Sequence, residues 1–228
     1  MATLEFVDDL PPHNTPPFGA ELHVIDELLS CVRELGARGL TPATSSNFSV
    51  RVGRDEIAIT VSGRDKSQLK SEDLMRVDLR GRALDAGLKS SAETALHTQL
   101  YRELGEIGCV LHTHSLAQTV ASKFFAAVGG IHLRDYELLK GLRGHQTHEE
   151  EVVLPVVRNS QDMNEITDAI EAWIKPQPRC PGYLIEGHGI YTWGRDVHEA
   201  KRHLDVFEFL LQAELELQRL RGTPVRAL

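Results

Sequence analysis

Residues 109–118 read CVLHTHSLAQ, an apolar run that ends in two histidines one residue apart. In an extended strand, side chains alternate between faces with period two, so His112 and His114 emerge on the same side. Two imidazoles on one face at a strand end are a usual beginning for a metal site. The plainer alternative is a polar strand end with two solvated histidines. A third ligand and a nearby carboxylate are the tests.

Outward from this strand, helical and extended patterns interleave. Upstream, KSSAETALHTQLYREL is a predicted helix, with Ser90 or Ser91 as N-cap and Leu96, Leu100 and Leu104 on one face. Before it, SSNFSVRV, EIAITVSG and LMRVDLRGRAL alternate as strands. Val24, Ile25, Leu28, Leu29, Val32 and Leu35 mark a first helix from Ala20 that ends near Gly36 and Gly39. Downstream come a helix over about 115–127, an irregular stretch holding LRDYELLKGL, the strand EVVLPVV and the helix DMNEITDAIEAWI. PGYLIEGHGIYTW reads as two strands meeting at a glycine-flanked histidine. A long amphipathic helix over Val197–Leu220 closes the pattern. Residues 1–19, rich in proline, are expected to form an irregular arm, and 20–228 a single α/β domain.

The chain has 228 residues with a hydrophobic fraction of 41%, enough to bury a core. Its formal net charge of −8 argues against a role built on neutralising nucleic-acid phosphates. No run approaches the length of a membrane span, and residues 1–19 lack the regions of a signal peptide. Cys31, Cys109 and Cys180 are odd in number and far apart, as expected of reduced thiols in a cytoplasmic protein. Any metal must therefore be held by histidine and carboxylate.

Among the remaining histidines, His23, His198 and His203 fall in predicted helices and suit structural roles. His132, His145 and His148 lie in the irregular region, where the sequence leaves them open. His188 sits in EGHGI, where glycine on both sides permits a close backbone approach, though a hairpin turn containing histidine would read the same. Glu93, in the first turn of its helix, is explained equally by helix-dipole capping or by pairing with His97 four residues on. Glu137, between Asp135 and Lys140, passes for a surface charge. Thr44-Ser45-Ser46-Asn47, Ser62-Gly63 and Ser90-Ser91 are hydroxyl or glycine turns whose N–H groups can cradle an oxyanion, and Lys66 can add positive charge nearby.

Taken in order, SSNFSV, VSGRDK, SSAETALHTQLY, VLHTHS, DYELLKG and GYLIEGHGIYTWG resemble the class II aldolase superfamily from about Leu22 to Leu220. TPATSSN, SAETALHTQLY and DYELLKG favour its dehydratase branch over its aldolases. The resemblance implies a three-layer α/β/α sandwich around a central, largely antiparallel sheet, assembled as a homotetramer with sites near subunit interfaces. It implies one zinc ion per subunit on His112, His114 and His188. Phosphate binding falls on Ser46, Asn47, Ser62, Gly63, Ser90 and Ser91. The resemblance matches Glu137 to the family's acid/base glutamate and Glu93 to its metal-proximal carboxylate; with Glu93 taken as base and Glu137 as acid, Glu137 must be desolvated and protonated near neutrality. The implied reaction dehydrates 5-methylthioribulose 1-phosphate in methionine salvage. Alternatives are aldol cleavage or epimerisation of another sugar phosphate, or a non-catalytic scaffold like the adducin head, which would be expected to lose the metal ligands.

Overall fold

A computed structural model describes residues 20–221, except 86, 89 and 176–179. The expected N-terminal arm lies outside the described residues. Five helices, α1 (Ala20–Ala37), α2 (Thr94–Glu103), α3 (Leu116–Phe125), α4 (Met163–Ile174) and α5 (Val197–Leu220), surround one sheet. Its eight strands are β1 (Asn47–Arg51), β2 (Glu56–Thr60), β3 (Leu74–Asp78), β4 (Cys109–Thr113), β5 (Gly130–Leu133), β6 (Val152–Val157), β7 (Gly182–Ile185) and β8 (Ile190–Gly194), in the order β3-β2-β1-β4-β8-β7-β6-β5. Every neighbouring pair is antiparallel except β6 and β7.

The period-two pattern sorts the strand side chains into two cores. Cys109 and Leu111 of β4 join Leu28, Val32, Leu204 and Phe207 beneath α1, α3 and α5. Val110 joins Leu96, Leu100, Ile166 and Ile170 beneath α2 and α4. Helices thus cover both faces, giving the expected three layers. Fully burying each such Leu, Ile or Val contributes roughly 1.5–3 kcal/mol of transfer free energy, which fixes the register of a strand buried on both sides.

Two local expectations need correction. The helix α2 begins at Thr94, later than a cap at Ser90 or Ser91 implies. Ser91 instead closes the turn before it, its Oγ accepting the Glu93 N–H at 3.3 Å and its carbonyl accepting the Thr94 N–H at 3.1 Å. Within the stretch read as irregular, Gly130–Leu133 forms an edge strand paired with β6. Four residues are too few to display a period, and only the partner strand specifies the pairing.

Candidate active site

The chemistry gathers where β1, β4 and β8 run side by side. Register places Asn47 opposite His112, and His112 opposite Tyr191. His112 is fully buried with its ring stacked on Tyr191, centroids 4.0 Å apart. Its Nδ1 donates to the Ile190 carbonyl at 2.9 Å. A carbonyl only accepts, so the proton resides on Nδ1 and the Nε2 lone pair is free to ligate.

His188 arrives from the β7–β8 turn, and its two glycines serve different needs. Gly187 adopts a left-handed φ of 62° and donates its N–H to Ser122 Oγ at 3.0 Å. A Cβ on Gly189 would lie 2.0 Å from the Thr113 carbonyl oxygen, so no side chain fits there. Thr119 of α3 donates to the His188 carbonyl at 3.0 Å, pinning the turn to the helix that follows His114.

These constraints bring the three imidazoles together. His112 Nε2 lies 2.7 Å from His114 Nε2 and 3.3 Å from His188 Nε2, and one ring nitrogen from each falls within 4.8 Å of the others. Burial holds His112 neutral, pushing its pKa well below the usual imidazole value. Burial, reinforced by neighbouring His188, brings His114 down to about 4. Three ring nitrogens gathered this closely, with His112 tied to backbone through Nδ1 and its Nε2 left over, are a donor set that fits a divalent metal.

Glu93 stands beside this cluster, its Oε1 3.2 Å from His188 Nε2 and its Oε2 3.7 Å from His112 Nε2. Asn47 Nδ2 donates to Oε2, and the Tyr191 hydroxyl donates to it at 3.4 Å. Burial opposes ionisation of Glu93, yet the hydrogen bond with His188 and the positive character around the histidines outweigh it and hold the carboxyl well below its ordinary range. The expected Glu93–His97 pair is not made; Asn47 stands between them.

A polar cavity of about 180 Å³ opens next to Glu93 and His114, lined by Ser46, Asn47, Ser62, Gly63 and Ser91. Ser90 is not among its lining residues. Ala43, Thr44 and Ser46 all adopt positive φ, an uncommon run for residues other than glycine, and they bend the loop into a concave rim. Behind the rim lies Lys66, 1% exposed, donating to the Thr44 carbonyl at 3.1 Å and the Arg64 carbonyl at 2.8 Å. Asn47 lines this cavity while its amide group bonds Glu93 and His97. A larger apolar groove of about 1040 Å³ between α3 and α5 contains none of these groups.

Glu137 is not brought to this cluster. It begins a short 3-10 turn, Glu137–Gly141, and among the described residues its carboxylate pairs with Lys140 and His148. Leu139 and Leu142 anchor that segment in the α1/α3/α5 core, across the sheet from His112. The expectation of a desolvated carboxyl fails within one chain, because the Glu137 side chain is 68% exposed and its hydrogen bond with Lys140 lowers its pKa.

Residues 26–215 match the family described as class II aldolase and adducin N-terminal domain. The chain belongs to that family. Among its relatives, methylthioribulose-1-phosphate dehydratase of Xanthomonas campestris pv. campestris is 55% identical over 208 residues, covering 91% of this chain and 95% of the relative. The enzyme of the same name from Stenotrophomonas maltophilia is 52% identical over 211 residues, covering 92% and 97%. Solved structures share the fold at lower identity. YgbL from Klebsiella pneumoniae, described as a putative aldolase/epimerase/decarboxylase, superposes with a TM-score of 0.75 at 21% identity, covering 90% of this chain and 93% of its own. L-fuculose-1-phosphate aldolase from Thermus thermophilus gives 0.71 at 24% identity, covering 90% and 100%.

Asn47 and Tyr191 contact Glu93 in ways the sequence reading missed. For Asn47 the signal lay in strand register, since β1 sets it opposite His112, but register is visible only once the pairing is known. Among the described residues, no helix is long and apolar enough to cross a membrane.

Proposed function

We propose that this chain removes water from 5-methylthioribulose 1-phosphate, giving 5-methylthio-2,3-dioxopentyl phosphate for methionine salvage. The observation that carries this reading is the convergence of His112, His114 and His188 beside Glu93 and a hydroxyl-lined cavity. Relatives more than half identical across nearly their whole length carry the corresponding name.

In this reading the substrate phosphate sits in the small polar cavity, with the Ser62 and Ser91 hydroxyls and the Gly63 N–H as donors. That places C2 and C3 toward the histidines. A zinc ion, one per subunit, would be held by His112, His114 and His188 and would supply Lewis acidity to stabilise the developing enediolate charge.

Glu93 is ionised and carries out the first proton transfer. The C3–H bond breaks, the proton passes to a Glu93 carboxylate oxygen and the electron pair moves toward the C2 carbonyl. In the second step the C4–O bond breaks and the hydroxyl leaves as water, protonated by Glu137. The resulting C3–C4 enol tautomerises to the diketone. Because Glu137 lies away from the cluster of its own chain, its part is assigned to a neighbouring copy in a homotetramer whose sites lie near subunit interfaces. There Lys140 is displaced and the carboxyl becomes desolvated, raising its pKa.

Incubating the purified protein with 5-methylthioribulose 1-phosphate tests the assignment. Dehydration gives a product lighter by one water with diketone ultraviolet absorbance. Release of an aldehyde fragment instead would establish aldol cleavage, and metal analysis at one equivalent per chain or none checks the zinc assignment.

A further inference from the structure

A row of buried polar groups leads away from Glu93 into the core. Asn47 Nδ2 donates to Glu93 Oε2, and Asn47 Oδ1 meets His97 Nε2. His97, with no exposed surface, places Nδ1 2.7 Å from Ser49 Oγ. Ser49 Oγ is 3.1 Å from the Tyr101 hydroxyl, which donates to the Ser49 carbonyl at 2.9 Å. All the members inward of Glu93 are buried.

The carboxylate sets the direction of the row. An anion accepts, so Asn47 must present its NH2 group to Glu93 and its carbonyl oxygen to His97. His97 Nε2 must then carry the proton, leaving Nδ1 to accept from the Ser49 hydroxyl. With the Tyr101 proton spent on the Ser49 carbonyl, the Ser49 hydroxyl proton is free to go to His97. One set of proton positions satisfies the row from Glu93 through Asn47 and His97 to the Ser49 hydroxyl. Burial reinforces it by holding His97 neutral, its pKa brought down to about 3.

We propose that His97 is a positioning residue for Glu93, acting through Asn47. A primary amide can turn over by half a rotation at small cost, and the reversed Asn47 would aim a carbonyl oxygen at the carboxylate. The His97 Nε2–H blocks that reversal and keeps an N–H on Glu93 Oε2, leaving Oε1 to face His188 and the substrate. This row ends on a backbone carbonyl at one side and, at the other, on the carboxylate nearest the metal ligands. The proposal rests on the reading of Glu93 as the C3 base.

The test uses metal-loaded protein and the phosphorylated ketose. His97→Phe keeps the ring and removes the donor, so kcat should fall about ten- to a hundredfold with KM and metal content unchanged. The isotope effect with substrate deuterated at C3 should rise, because proton transfer becomes more nearly rate-limiting. His97→Gln, which restores an N–H near the Nε2 position, should recover most of the loss. Ring-nitrogen NMR of the labelled wild-type protein should show His97 protonated on Nε2.

A His97→Phe kcat within twofold of wild type, loss of metal from that variant, or an Nδ1-protonated His97 would each overturn the proposal. The NMR result decides even if the Phe variant fails to fold. Glu93→Gln separates the two readings. Retained C3 proton loss in that variant removes Glu93 as base, whatever the His97 variants show.

Discussion

At one end of the β4–β8 pair, His112, His114 and His188 stand beside Glu93; at the other end, His203 stands near Glu199. Both clusters are buried or nearly so and use the same residue types. They differ in how their lone pairs are spent. His203 donates from Nδ1 to the Trp193 carbonyl at 2.7 Å and accepts the Arg143 N–H on Nε2 at 3.1 Å. Both Glu199 oxygens are bound by Arg195, with contacts of 2.8 Å, and Arg202 adds another at 3.4 Å. At the metal end, the Nδ1 side of His112 is tied to backbone in the same way, yet its Nε2 faces only other ring nitrogens and a carboxylate. The cleft beside His203 has a volume of about 750 Å³, against about 180 Å³ for the cavity beside Glu93. The larger cleft is thus the one where the His203 ring nitrogens and Glu199 carboxylate oxygens are all paired, and the unspent ones lie beside the smaller cavity, where the reaction is proposed.

The sharpest way to break this contrast is a pair of substitutions. His188→Ala should lose metal and activity together, a fall of roughly a thousandfold or more in turnover, equivalent to the several kcal/mol that a bound cation supplies. His203→Ala should retain full metal content and lose only stability. Metal analysis of both proteins checks the pair, and metal loss from the His203 variant would erase the distinction drawn between the two ends.

Glu137→Gln comes next. It should keep fold and metal while activity falls by roughly 10²–10⁴-fold, the usual range for a general acid. Retained turnover would remove Glu137 from the mechanism and with it the need for a neighbouring copy.

Glu199 offers a test at the structural end. Burial alone would raise its pKa, but hydrogen bonds from Arg195 hold it down to about 2, against an ordinary 4.5. The unfolded chain therefore takes up the proton first as pH falls. The stabilisation is complete above the unfolded value and is lost between about 4.5 and about 2. Glu199→Gln should lower stability by roughly 1–3 kcal/mol at neutral pH and flatten that acid dependence, as read from thermal melts across pH. Activity per folded, metal-loaded chain should be unchanged.

The smallest effect belongs to the rim. Ser62→Ala and Ser91→Ala should each raise KM about fivefold, the value of one hydrogen bond, with kcat nearly untouched. Unaltered KM in both would move the phosphate elsewhere.

Much of the architecture is legible in the sequence. Period-two alternation correctly put His112 on the face opposite Leu111, and the apolar spacing of α5 gave its ends, because both patterns are local and long enough to repeat. The glycines around His188 announced a special backbone, and the turn indeed needs one for its left-handed angle and the other for close approach. What stayed hidden depends on partners distant along the chain. Strand β5 is defined by β6, and Asn47 gains its bond to Glu93 only through strand pairing. His97 lies one helical turn from Glu93 and suggested a direct pair, whereas the true connection passes through another strand. Glu137 is hardest of all, because its proposed surroundings belong to a different copy.

The bent rim at Ala43, Thr44 and Ser46 is built without glycine although each backbone angle there favours it. Left-handed residues with a Cβ are strained, at a cost of order 1 kcal/mol apiece, and glycine would relieve much of that strain. Glycine would also let the loop sample other shapes before a ligand arrives. If the rim is the proposed phosphate receptor, stiffness is gained there at the expense of global robustness, and selection for heat resistance and for tight anion capture should pull these three positions in opposite directions.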